Sequence, residues 1–411
     1  MNILFIHQNF PGQFRHLAPA LAEAGHRVDA LAMHQRPPPR GVSQHVYGVT
    51  RRPGQDVHPL LREAEAKVLR AEACAAAMLH LAKGGYRPDL VIANPGWGEA
   101  LFVKDVFPQA RLVSLLEFFH GTPDADFGFD PEFGPPSIEA RMKHRLKNLP
   151  LVESLLAMDQ GVAPTAWQAS RLPAEYRHRV EVIFDGIDTG QVRPDPAAQF
   201  THAAVPGMLS AAQPVVTFVN RNLEPYRGYH VFMRALPEIQ RRLPDARVLL
   251  VGGDGVSYGA AAPKGTTWKQ RFLDEVGGRL DLSRVHFLGQ LPYAAYLKLL
   301  QVSAAHVYLT YPFVLSWSCL EAMSAGCHVV GSRTAPVQDY IDDGVNGSLV
   351  DFFDSAALAG AVERAVRGRG TPADTALRAA ARRTVVERCD LQQVCLPRWR
   401  ALLGRVMGQP V

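Results

Sequence analysis

Short apolar runs alternate with helix-like stretches from one end of the chain to the other. The first half contains NILFIH, RVDALA, HVYGV, LVIA, RLVSLLE and RVEVIF; the second contains PVVTFV, ARVLLVGG, VHFLG, HVYLT, HVVGS and GSLVD. Between them lie segments with apolar residues at helical spacing, such as GQFRHLAPALAEAG and YHVFMRALPEIQRRLP. No two runs are joined by a two-residue hairpin turn. Strands that follow one another through helices run parallel, so the pattern predicts an α/β chain of doubly wound sheets.

A chain of 411 residues is long enough for two such sheets and too long for one small core. After Ile187 and Asp188 a polar, proline-containing stretch, TGQVRPDPAAQF, precedes PVVTFV. It places the domain boundary near Pro194 and predicts domains over 1–194 and 195–390. The tail from Leu391 to Met407 has helical spacing, and a helix over about 391–411 is expected to return to the first domain. No internal repeat is visible.

Composition narrows the setting. With 47% hydrophobic and 20% charged residues the chain is too apolar for disorder. Five scattered cysteines, with no C-x-x-C pair and no zinc spacing, fit a reducing cytoplasm. No apolar run reaches the roughly 20 residues that cross a bilayer, and MNILFIHQNF lacks the basic start and cleavage site of a signal peptide. The expectation is a cytoplasmic protein, either freely soluble or peripheral at the inner face of the cytoplasmic membrane. The net charge of +5 comes from the second half, since the residues up to Asp195 carry 21 basic against 22 acidic side chains. That surplus either suits an anionic ligand or is ordinary surface charge. No motif joins stacking aromatics to basic residues, so no nucleic-acid partner is expected.

After PVVTFV the chain reads NRNLEPYRGYHVFM. Arg221 and Arg227 therefore fall at the carboxyl end of a strand, where open α/β sheets bind ligands. Two guanidiniums there either grip a diphosphate or face solvent. Gly228 then opens a helix. Further on, Ser316 and Ser318 precede the helical LEAMSAG, a place for amides to meet an anion. Glu321, inside that helix, either accepts from ribose hydroxyls or simply complements the helix dipole.

The order R-x5-R-G, GGDG, VHFLGQL, S-x-S-x-L-E-A-M-x-A-G-x-x-V-V-G and P-x-x-D-Y-x-D-D-G-x-N-G-x-L-V resembles the carboxyl half of the retaining family 4 glycosyltransferases of the GT-B type. FDGIDT at Phe184 to Thr189 is similar to that family's N-G-[IV]-D junction, with Asp185 in place of the usual Asn. HQNFPGQF and EFFHGTPDADFGFDPEF resemble a bacterial subgroup of the same family. The resemblance implies two Rossmann-like domains facing a central cleft that holds a nucleotide diphosphate sugar, which is the donor substrate rather than a cofactor.

It also implies roles for residues that match. Arg221 and Arg227 would hold the donor diphosphate, with Arg227 standing where Lys is more usual. Glu321 matches the second glutamate of the E-x7-E motif, which binds the nucleotide ribose; the first falls on Phe313, a departure that leaves the sugar contacts at this position open. The amides of Leu315, Ser316 and Trp317 would cradle the distal phosphate. Gly289, Gln290 and Leu291 would read the base. In the first half, Gly12 either approaches the phosphates or is a simple turn glycine. Glu117 ends the strand where relatives often carry a histidine, with His120 three residues on; either is a candidate for contact with the transferring sugar or the acceptor. Asp124, Asp126 and Asp130 lack a metal-loop spacing and are expected to solvate or cap, so no metal site is assigned.

The implied function is retaining transfer of a sugar from a nucleotide diphosphate sugar to a glycan, glycolipid or small-molecule acceptor. Two alternatives remain on the same fold: a catalytically silent nucleotide-sugar-binding subunit, suggested by Phe313, and a nucleotide-sugar epimerase or hydrolase. GGDGVSYG imitates a dinucleotide fingerprint, but Tyr258 occupies the third glycine position, and the absence of G-x4-G-K-[ST] removes a P-loop kinase.

Overall fold

The first seven strands are β1 (Asn2–Ile6), β2 (Arg27–Ala32), β3 (Val42–Val46), β4 (Leu90–Ala93), β5 (Arg111–Leu115), β6 (Gln160–Ala163) and β7 (Val180–Val182). In the computed structural model, which describes residues 1–121 and 124–411, they form one sheet in the order β3-β2-β1-β4-β5-β6-β7, with every pair parallel. The consecutive apolar residues of β1 and β4 are fully buried because helices cover both faces of a parallel sheet. The chain winds outward from β1 to β3 and then returns to place β4 beside β1. That reversal leaves a crevice at the carboxyl ends of β1 and β4, the usual ligand position in such sheets.

The second unit repeats the plan. A two-stranded antiparallel ribbon, β8 (Gln199–His202) with β9 (Val205–Ser210), precedes β10 (Val215–Asn222), β11 (Arg247–Gly253), β12 (Val285–Phe287), β13 (Ala305–Tyr308), β14 (Val329–Ser332) and β15 (Ser348–Val350). The last six make a parallel sheet in the order β12-β11-β10-β13-β14-β15. Here the reversal lies between β10 and β13, so the segments after these two strands are neighbours although 83 residues separate Arg227 from Thr310 in sequence. Each unit is thus a Rossmann-like domain.

Three features depart from the expected layout. The boundary falls between Gly186 and Ile187, ahead of Pro194. Residues 187–194 belong to the second unit because their polar groups are satisfied there: Thr189 donates to Asp390, the Val192 carbonyl accepts from Ser324 and Arg382, and the Arg193 carbonyl accepts from Gln301. The β8–β9 ribbon turns at Ala203-Ala204, a two-residue connection without the Asn or Gly that marks such turns in sequence. Strand β6 was absent from the apolar runs because its four residues include Gln160 and Gly161.

The first unit comprises Met1–Gly186 and Leu391–Val411. The helix Leu396–Met407 buries Leu396, Trp399, Leu402 and Leu403, and its Arg405 pairs with Glu181. All five cysteines are buried free thiols. Among the described residues no helix is long and apolar enough to cross a membrane.

Candidate functional site

The carboxyl end of β10 carries Arg221, which is exposed. The chain then turns through Glu224, a fully buried carboxylate that accepts from the amides of Ser257 and Gly259 at 3.1 Å each. This anchors the loop after β11 and brings Tyr258 over the site. Both arginines approach that ring, Arg221 at 5.9 Å and Arg227 at 5.0 Å from its centroid. Gly228 follows at φ +70°, and a β-carbon there would lie 2.3 Å from the Leu309 β-carbon. Only glycine permits both the backbone and the approach to the segment after β13.

Arg227 is only 4% exposed. One guanidinium nitrogen donates to the Thr310 hydroxyl at 2.7 Å, to the Val314 carbonyl at 3.1 Å and, more loosely, to the Tyr308 hydroxyl at 3.4 Å. Phe313 lies over the guanidinium at 5.8 Å and packs on Tyr226 and Tyr258 at 5.2 and 5.1 Å. All these partners are neutral, and no carboxylate of the described residues forms an ion pair with Arg227. A buried cation without a counter-charge is expensive unless an anion completes it. The pair Arg221 and Arg227 is therefore chemically suited to a phosphate-bearing ligand.

The helix Trp317–Ser324 begins beside this pair, with Ser316 at its N-cap and no side-chain cap. The Ser316 amide is not open, however: it donates to the Tyr308 hydroxyl at 2.8 Å. Leu315 is buried, and the Ser318 hydroxyl reaches the Ser316 hydroxyl at 3.0 Å. The expected cradle of three amides is thus modified, because the middle one already has a partner. Within the helix, Glu321 is buried, and its two carboxylate oxygens accept from Tyr293 and Tyr296, each at 2.8 Å. These two tyrosines were not singled out in the sequence, although their i, i+3 spacing at a helix start puts them on one face. Gly289 lies two residues past β12 at φ +65°, and its carbonyl accepts from the Gly252 amide at 2.9 Å. Gln290 beside it is exposed and Leu291 half-buried.

In the first unit Gly12 has φ +48°, and a β-carbon there would lie 2.4 Å from the His7 ring. His7, another residue missed in the sequence, is buried. Its Nδ1 accepts from the Asn9 amide at 3.0 Å, which makes Nε2 the donor to Gln13 at 2.7 Å. Burial holds its pKa down to about 4, so the ring is neutral near pH 7. Glu117 follows β5 and accepts from the Asn94 side chain at 3.3 Å, the two residues coming from adjacent strand ends. His120 lies elsewhere in its contacts: its backbone amide and carbonyl bond to Asn148, and its ring meets the edges of Phe118 and His144, each at 5.2 Å. Burial first, then the charges of Lys147 and His144, lower its pKa to about 3. Asp130 accepts from the Glu132 amide, a capping role, and Asp124 has a positive φ of 50°. Part of the segment EFFHGTPDADFGFDPEF, at residues 122–123, lies outside the described residues.

Residues 24–192 match a model described as Glycosyl transferase family 4 group, and residues 213–367 match one described as Glycosyl transferases group 1. The chain belongs to the family 4 glycosyltransferases of the GT-B type. This chain is 30% identical over 230 residues to a D-inositol 3-phosphate glycosyltransferase of Nocardia farcinica, covering 54% of this chain and 48% of the relative. It is 28% identical over 199 residues to a GDP-mannose-dependent alpha-(1-6)-phosphatidylinositol monomannoside mannosyltransferase of Mycolicibacterium smegmatis, covering 44% of this chain and 46% of that one. The matches span about half the length of these curated relatives. In fold it resembles sucrose-phosphate synthase of Thermosynechococcus elongatus, with a TM-score of 0.73 at 18% identity over 98% of this chain and 100% of that one. It also resembles Anabaena HepE in complex with UDP and glucose, with a TM-score of 0.66 at 17% identity and the same two coverages.

Proposed function

We propose that this chain transfers a sugar, with retention of configuration, from a nucleotide diphosphate sugar to an acceptor hydroxyl. The observation that carries the reading is Arg227, a buried guanidinium without a carboxylate partner, beside the exposed Arg221 at a strand end. As the bond between the anomeric carbon and the diphosphate oxygen breaks, negative charge grows on the leaving group. Arg221 and Arg227 are already oriented to receive it, so little reorganisation is needed during the reaction. The acceptor oxygen attacks from the face the diphosphate leaves, and its proton passes to the leaving phosphate oxygen. No carboxylate is assigned as a covalent nucleophile. Two guanidiniums meet the leaving charge, so this reading requires no divalent cation.

Glu321 takes the ribose hydroxyls in this reading, with Tyr293 and Tyr296 fixing its carboxylate. The acceptor is a glycan, a glycolipid or a small polyol; the names of the two curated relatives favour an inositol-bearing one. A cytoplasmic location, where nucleotide sugars are made, belongs to the same proposal. The test is calorimetric titration with UDP, GDP, ADP and their sugar conjugates, repeated with Arg221→Ala. Binding of one nucleoside diphosphate, weakened about tenfold or more by the substitution, supports the reading. Absence of binding by all of them overturns it.

A second reading, a silent nucleotide-sugar binder, has one observation in its favour: the aromatic ring of Phe313 covers the guanidinium at a position where the resemblance expects a carboxylate. Product formed by the unmodified protein with any acceptor extract removes it.

A further inference from the structure

We propose that the first unit docks on an anionic lipid surface through the consecutive helices Ile138–Leu146 and Leu149–Ala157. The inference is independent of the proposed reaction. An amphipathic helix on a folded domain ordinarily turns its apolar stripe inward. Here an apolar stripe faces outward as well. Ile138 is 68% exposed and Met142, one turn later, is exposed as well. On the second helix Leu149, Val152 and Leu156 are exposed at i, i+3 and i+7 spacing, one continuous stripe, while Pro150, Leu151, Ser154 and Leu155 of the opposite face are buried. The first helix buries only His144. Phe133, just ahead of them, is exposed too.

Scattered exposed apolar residues are normal on a soluble protein; six large ones within 24 residues are not. The second half of the argument is charge. Residues 141–147 read RMKHRLK, four formal cations in seven positions. Arg141, Lys143 and Arg145 are exposed. Lys143 is paired with Glu139 at 2.7 Å, whereas Arg141 and Arg145 form no ion pair with any described residue. Glu139 and Glu153 are the acids of the two helices.

Cations interleaved with an outward apolar stripe match the boundary between headgroups and acyl chains, where long basic side chains reach up to phosphate while apolar ones sink below it. A protein partner or a second copy of the chain would cover the apolar stripe equally well but has no need of the basic cluster. The occupant is therefore a bilayer carrying acidic phospholipid.

The test is flotation of the full chain with vesicles of phosphatidylcholine alone and with added phosphatidylglycerol, at low and high salt. Binding is expected only to the acidic vesicles and is expected to weaken with salt. Arg141→Glu combined with Arg145→Glu should lower it about tenfold or more, and Met142→Ser combined with Leu156→Ser should do the same. All four residues are exposed, so unchanged thermal unfolding separates a lost contact from a lost fold. Leu79→Ser with Met208→Ser, exposed apolar positions elsewhere, should bind like the parent. Equal binding to neutral vesicles, no binding at all, or full binding by both double variants overturns the proposal. So does a concentration-dependent dimer that the same variants abolish in the absence of vesicle binding. Failure of nucleoside diphosphate binding would leave this result untouched.

Discussion

The Tyr308 hydroxyl accepts the Ser316 amide at 2.8 Å and lies 3.4 Å from the Arg227 guanidinium. One side chain from the end of β13 thus ties the start of the helix Trp317–Ser324 to the buried cation. Tyr308→Phe leaves the amide without its partner, and a stability loss of about 1–3 kcal/mol in urea unfolding is expected. Nucleoside diphosphate affinity should hold or rise, because the amide is then open to phosphate. A tenfold fall would make the hydroxyl itself a ligand contact.

The two arginines should separate stability from binding. Arg221 is exposed and, apart from its loose approach to the Tyr258 ring, its side chain makes no hydrogen bond or ion pair with any described residue, so Arg221→Ala should leave the unfolding midpoint nearly unchanged while weakening diphosphate binding. Arg227 bonds Thr310 and Val314 across the sheet reversal. Arg227→Ala should therefore lower both, and Arg227→Lys should restore binding better than stability, since one ammonium supplies charge but not the planar fork. Parallel scans of melting temperature and calorimetric affinity check this; equal stability loss in both positions would contradict it.

Glu321→Gln converts an acceptor for two tyrosines into a group with one acceptor oxygen. Either Tyr293 or the buried Tyr296 loses the acceptor for its hydroxyl proton, and about 1–3 kcal/mol of stability should go with it. Tyr296→Phe in the Glu321→Gln background should recover part of that loss. Additive damage in the double variant would show that the two groups are not coupled.

Stability should fall on mild acidification. His7, His120 and His306 are held neutral mainly by burial, with pKa values lowered to about 4, about 3 and about 3 from the ordinary 6.5. As pH drops through 6.5 the unfolded chain takes up protons that the folded chain refuses, so the contribution is complete above that value and is lost down to the folded pKa values. Urea midpoints at about pH 7 and about pH 5 should therefore differ. The difference should shrink in His306→Gln, whose parent ring bonds Thr217 at 2.9 Å. A flat profile between the two pH values would exclude the effect.

Most strands were legible because a parallel strand covered on both faces must be apolar at consecutive positions, as in VVTFV and VLLV. What escaped lacked that signature: β6 contains Gln160 and Gly161, and the ribbon at β8 and β9 turns on two alanines. Site residues were legible where one stretch of chain carried the chemistry, as with Arg221 and Arg227 after one strand. Partners set by strand order were not. Tyr308 for Ser316, and Tyr293 and Tyr296 for Glu321, follow from how the chain folds around β13 and not from any motif spacing, and Arg227 meets Thr310 and Val314 only once β10 and β13 are neighbours. Glu117 with Asn94 is the same case in the first sheet.

The return of Leu391–Val411 to the first unit gives the two units different histories on the ribosome. Residues 187–390 are contiguous, and their sheet can close as soon as they have emerged. The first unit, although synthesised earlier, still lacks Trp399, Leu402 and Leu403 from its interior at that stage. It waits with an open apolar face until the later segment arrives, so the half made first is the half finished last, and a stalled or clipped chain would leave apolar surface exposed on the amino-terminal unit rather than on the carboxyl-terminal one.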